Sequence, residues 1–258
     1  MATVRDIYDF LDEFCPFKNC LDFDNVGILL GNKNARVKKV LLALDIVDEV
    51  LDEAKNLNAK LIITHHPIIL NSLKSISSDS LICKILKNDI NVISAHTNLD
   101  VAKNGVNYHL AKALNLNDLK VLSFAENNEN LPLGFIGELK KPLSCKEFAE
   151  FTKKQLNCKG ARYISLPNKK IQKVAVGSGS SGDLIYTAIN QKVDAFVTGE
   201  IKHHEILYAK QNGLCVVDVG HYKSEDIVMQ PLKKKLSSAF KDVEFLKSQV
   251  DIDSVDYI

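Results

Sequence analysis

The chain has 258 residues, 46% hydrophobic and 25% charged, with 33 lysines and arginines against 32 aspartates and glutamates. That length allows one large or two small domains with a real core, and a net charge of +1 gives no electrostatic footprint for nucleic acid or an anionic membrane. Arginine occurs only at Arg5, Arg36 and Arg162, so the forked donors that read bases and grip phosphates are scarce.

The opening MATVRDIYDFLDEF is an acidic amphipathic helix pattern, not a charged cap followed by an apolar signal run. DNVGILLG, from Asp24, places a turn before an apolar run, with Gly27 allowing close backbone approach. VKKVLLAL, DIVDEVLDEAKNLNA and KLIIT follow as strand, helix and strand, ending at Thr64. His65, His66 and Pro67 come next; proline stops the strand and biases His66 to an extended backbone. A helical stretch, SSDSLICKILKNDI, leads to the strand NVISAH and then to TNLD. His109, in NYHLAKAL, reads as a structural histidine.

From about residue 121 to 170 the texture changes: AENNENLP is expected as a polar loop, GFIGELKKP as a strand, SCKEFAEFTKKQLN as a helix and ARYISLP as a strand. Ser144 and Glu147 have capping-box spacing. Beyond this stretch the strand–helix–strand pattern of the first half recurs. IQKVAVGS, GSSGDLIYTAINQKV and DAFVT align with it without a gap, Val40 with Val174, Ala54 with Ala188 and Thr64 with Thr198, each 134 positions apart. HHEILYAKQNGL and CVVDVGH continue the repeat, and KKKLSSAF is expected as a closing helix. The expected architecture is α/β: two similar lobes from an internal duplication, residues 1–120 and 121–258, with a short insertion at 121–170 and the functional site in the crevice between them.

Both copies end a strand in histidine with a carboxylate four residues on, His96 with Asp100 and His221 with Glu225. Side chains gathered past the carboxyl ends of strands in α/β sheets are placed for function. Adjacent residues of a regular strand face opposite ways, so His65 and His66 suit two neighbouring ions at a fraying strand end. Nitrogen and carboxylate donors without thiolate fit zinc, manganese, iron or cobalt. His96 fits either as a ligand or as a group that orients one. The six cysteines are scattered with no C-x-x-C pair, as reduced thiols in a cytoplasmic protein would be. The apolar run LIITHHPIIL is interrupted by two histidines and a proline, so no membrane span is expected.

The motifs DNVGILLG, THHP, HTNLD, GSGSSGD, TGE and GHYKSE run in order over almost the whole chain. Together they resemble the dinuclear-metal-centre hexameric proteins, also labelled GTP cyclohydrolase I type 2 homologues. Phe23 stands where many relatives have tryptophan. The resemblance implies two divalent ions per chain held by His65, His66, Asp100, His221 and Glu225, with carboxylate bridging. It also implies assembly of the chain with itself into a ring-shaped hexamer. A metal-dependent hydrolase acting on a nucleotide or phosphoester is the leading expectation; a non-catalytic metal-binding scaffold or delivery protein is the alternative.

Gly177, Gly179 and Gly182 also spell a dinucleotide fingerprint, with Glu200 near the place of a ribose-binding acid. Against a nicotinamide oxidoreductase, about sixty residues follow Glu200, too few for a second mononucleotide half at ~30 residues per βαβ unit. Contact of this loop with a substrate phosphate is the preferred functional expectation. Glu200 and His204 are the acid–base candidates outside the ligand set, and His203 and His204 otherwise read as exposed helix histidines.

Overall fold

A computed structural model of the chain describes residues 1–126, 128–251, 253–256 and 258, with Glu129 and Asn130 by backbone alone. It divides into two compact units, residues 1–102 with 228–252 and residues 103–227 with 253–258. The first unit opens with α1 (Val4–Phe14), β1 (Gly27–Leu30), β2 (Lys39–Ala43), α2 (Asp48–Asn56), β3 (Leu61–Thr64), α3 (Leu81–Lys87), β4 (Asn91–Ser94) and α4 (Thr97–Asp100). The second takes α5 (Val106–Ala113), β5 (Asn117–Ala125), β6 (Asn128–Ser144), α6 (Cys145–Gln155), β7 (Arg162–Tyr163) and β8 (Lys170–Gly177). It continues through α7 (Ile185–Asn190), β9 (Ala195–Thr198), α8 (His203–Gln211), β10 (Cys215–Asp218) and α9 (His221–Glu225). The chain then returns to the first unit for α10 (Met229–Ala239) and β11 (Glu244–Lys247).

The first sheet runs β1-β4-β3-β2-β11, with β4, β3, β2 and β11 parallel and β1 antiparallel at the edge. Its central strands are apolar runs because both faces are covered; Val40, Leu41, Leu42, Leu61, Ile62, Ile63, Val92 and Ile93 are fully buried. α2 lays Val50, Leu51 and Ala54 on one face at helical spacing and buries them against this sheet. The second sheet runs β5-β6-β8-β9-β10-β7, with β8, β9 and β10 parallel and the outer strands antiparallel.

The repeat is visible in the strand registers. Val40 pairs with Leu61 in the first unit and Val174 with Ala195 in the second, at the same offset of 134. Further on, Ala95 N–H donates to Thr64 O and Val219 N–H to Thr198 O, which equates Ala95 with Val219. His96 therefore corresponds to Gly220, not to His221. Both are caps of the helices that follow, and His221 is the first helical residue of α9. The two H-x-x-x-[DE] pairs are one residue out of step.

Three expectations change. The boundary at 120/121 gives way to the division above, because β11 hydrogen-bonds in parallel to β2 and residues 228–252 group with the first unit. The AENNENLP stretch is not all loop: β5 extends to Ala125 and β6 starts at Asn128 as its antiparallel partner, while Asn127 lies outside the described residues. Finally, β10 stops at Asp218, so His221 is a helix residue and not a strand end. The capping boxes fold as the spacing dictates: Ser144 Oγ accepts from Glu147 N at 3.3 Å while Glu147 accepts from Ser144 N at 2.8 Å. No helix among the described residues is long and apolar enough to cross a membrane.

Candidate metal centre

In the first unit, β3 ends at Thr64 and the chain continues along β2, His66 N–H donating to Leu44 O at 3.0 Å. His65 is fully buried there. His96, two residues past β4, closes a three-histidine cluster whose ring centroids lie 5.1, 5.1 and 5.5 Å apart. One nitrogen from each of His65, His66 and His96 lies within 4.8 Å of the others, close enough to hold a metal ion. Asp100, at the end of α4, brings Oδ1 to 3.6 Å from His65 Nε2.

In the second unit, α9 carries His221 and Glu225 one turn apart, with His221 Nε2 3.0 Å from Glu225 Oε2. Three small residues make room for this short helix. Gly179, at φ +58°, donates N–H to Ser224 Oγ at 2.8 Å, and Ser224 Oγ donates to His221 O at 2.7 Å. A Cβ on Gly179 would collide with Glu225 Oε1, and one on Gly199 would stand 2.5 Å from Ser224 Oγ.

The four histidines share one arrangement. His65 Nδ1 bonds Ala95 O at 2.9 Å, His66 Nδ1 bonds Asp45 Oδ1 at 2.8 Å, His96 Nδ1 bonds Asp24 Oδ1 at 2.9 Å, and His221 Nδ1 bonds Glu200 Oε1 at 2.8 Å. Each partner oxygen is an acceptor, so Nδ1 carries the proton and a neutral ring keeps its lone pair on Nε2. In His65 and His221 that Nε2 lies 3.6 and 3.0 Å from a carboxylate oxygen, of Asp100 and Glu225 respectively. Imidazole nitrogen and carboxylate oxygen without thiolate is a donor set for a borderline divalent ion. These residues fit a metal.

Asp24 takes four hydrogen bonds, from Asn25 N–H at 2.8 Å, His96 Nδ1, Thr97 N–H at 3.0 Å and Thr97 Oγ1 at 2.5 Å. Burial pushes its carboxyl up, but the bonds from His96 and Thr97 outweigh that and hold it at about 2. Asp24, the first residue of DNVGILLG, fixes His96. Asp45, just past the strand written VLLAL, escaped notice in the sequence, although a carboxylate at a strand end was the available signal. Of the acid–base candidates, Glu200 is committed to His221. His204 is exposed on α8 and belongs to none of the metal-capable clusters among the described residues.

In the glycine loop two amide N–H groups are engaged within the fold. A phosphate cradle needs outward amide N–H groups. Here Ser178 N–H donates to Asn107 Oδ1 and Gly179 N–H to Ser224 Oγ, both at 2.8 Å. The loop braces α9. Beside it a cavity of 510 Å³ is lined by Arg162, Ser180, Asp183, Glu200, Lys202 and Glu205, among others. Arg162 is paired with Asp218, so carboxylates dominate what the cavity offers an anion.

Residues 2–254 match the family model described as Duf34/NIF3 (NGG1p interacting factor 3). The chain belongs to this family. A "GTP cyclohydrolase 1 type 2 homolog" of Clostridium perfringens (strain 13 / Type A) is 34% identical over 260 residues, covering 99% of each chain. Among solved structures, a Staphylococcus aureus hypothetical protein superposes with a TM-score of 0.93 at 30% identity, covering 99% of each chain. A Bacillus cereus protein related to NIF3 superposes with a TM-score of 0.93 at 27% identity, covering 100% of this chain and 99% of that one. The two-sheet α/β architecture is thus the NIF3 fold.

Proposed function

We propose that this NIF3-family chain binds two divalent metal ions through His65, His66, Asp100, His221 and Glu225, with a carboxylate bridging, and hydrolyses a nucleotide or phosphoester. The observation that carries the reading is the shared tethering of the histidines, each held by Nδ1 to a carbonyl or carboxylate oxygen that fixes its ring. Loose surface histidines do not hold a common tautomer; metal-binding ones do. Bound ions would supply Lewis acidity and lower the pKa of water toward ~7. The chain's own residues hold the donors: Ala95 O and Asp45 aim His65 and His66, Glu200 aims His221, and Gly179 leaves space for Glu225. The substrate class follows the names of the relatives.

Elemental analysis of the gently purified protein tests the first step, with two ions per chain of zinc, manganese, iron or cobalt expected. A screen against nucleotides, phosphoesters and cyclic amides tests the second. Turnover that rises with pH, vanishes on chelation and returns at metal-dependent rates supports the hydrolase. Two ions with no turnover across the screen replaces it by a metal-binding scaffold or delivery protein.

A further inference from the structure

Glu200 stands two residues beyond the strand-ending Thr198, as His66 stands two beyond Thr64. The same sequence slot thus holds a nitrogen donor in one copy and a carboxylate in the other. Glu200 has a partner that accounts for its place: Oε1 lies 2.8 Å from His221 Nδ1, on the opposite side of the ring from the Nε2 that lies 3.0 Å from Glu225. The Glu200 side chain is 53% exposed whereas that of Glu225 is 4% exposed, so the two carboxylates on this ring live in different surroundings. A half-exposed acceptor on Nδ1 can fix the tautomer and ring orientation.

We propose that Glu200 is a positioning residue for the metal centre, holding His221 with Nε2 turned toward Glu225, and is neither a metal ligand nor an acid–base group. The inference rests on the metal-binding reading above and deepens it. Its physical content is a hydrogen bond, so any acceptor of the right length serves and the negative charge is secondary. Glutamine keeps the acceptor oxygen; alanine removes it. A ligand role predicts otherwise, because an amide is a poor substitute for a bound carboxylate.

The test is calorimetric titration with zinc and absorption titration with cobalt(II) of the full chain and of Glu200→Gln, Glu200→Ala and Asp183→Asn, each checked for folding by thermal melting. Expected is a ~10–100-fold loss of affinity at one ion in Glu200→Ala, with an altered cobalt spectrum. Glu200→Gln stays close to the parent, and Asp183→Asn, which removes a charge from the same cavity, matches the parent. Parent-like binding in Glu200→Ala overturns the proposal, as does a Glu200→Gln loss equal to that of alanine or an equal loss in Asp183→Asn. A parent chain that binds neither zinc nor cobalt overturns the metal reading itself, and the proposal with it.

Discussion

Asp24 is the residue whose chemistry reaches furthest beyond its own position. Its carboxylate collects His96 and both polar groups of Thr97, which starts α4, the helix that delivers Asp100. With its folded pKa lowered from 3.8 to about 2, ionised Asp24 favours the native state. The sign is that of a depressed acid: the stabilisation is complete above pH ~4 and is lost as pH falls toward 2. Replacing Asp24 by Asn should cost ~1.5–3 kcal/mol in urea denaturation at neutral pH, and the gap from the parent should narrow as both are acidified through that window. A gap independent of pH would mean that packing, not charge, holds the turn. At the metal end, Glu225→Ala should empty at least one ion position by elemental analysis; unchanged occupancy would end the five-ligand assignment. Thr3→Ala, which removes the cap of α1, should cost ~1 kcal/mol and leave metal content alone. The candidate donors were legible in the sequence because imidazole and carboxylate chemistry is a property of residue type. Their orienting partners were not: Asp45 and Glu200 take their roles only through distances that no spacing encodes.

At the level of elements, α9 is too short to hold itself in place, five residues being below what helix propagation sustains. Its position depends on the bracket of Gly179, Gly199 and Ser224. Gly179→Ala should therefore combine a left-handed backbone penalty of ~1 kcal/mol with displacement of Glu225, and metal affinity should fall more steeply than thermal stability. Melting and zinc titration of the same sample separate the two effects. The strands β2, β3, β4, β8, β9 and β10 were readable as short apolar runs, since burial on both faces writes itself as continuous hydrophobicity. β11 was not, because EFLK has one fully inward residue, Phe245, and its edge position leaves Glu244 exposed. β5 was hidden the same way, its alternation blurred by a half-exposed surface. The apparent duplication of H-x-x-x-[DE] misled by one residue, since spacing within a motif says nothing of where the motif starts relative to the strand end.

For the whole molecule, the resemblance that recovered the family also implies a ring of six. Light scattering at micromolar concentration should report a species six times the 28.7 kDa chain mass; a monomer would remove that expectation while leaving the metal reading intact. The placement of β11 has a further consequence, for the order in which a nascent chain acquires structure. Every residue of the second unit up to Ile227 is synthesised before α10 and β11 exist. The second unit can close most of its sheet while the first still lacks the strand that flanks β2. The half of the protein translated first therefore matures last, and a released chain truncated after Ile227 should resist protease within residues 103–227 and be cut within residues 1–102.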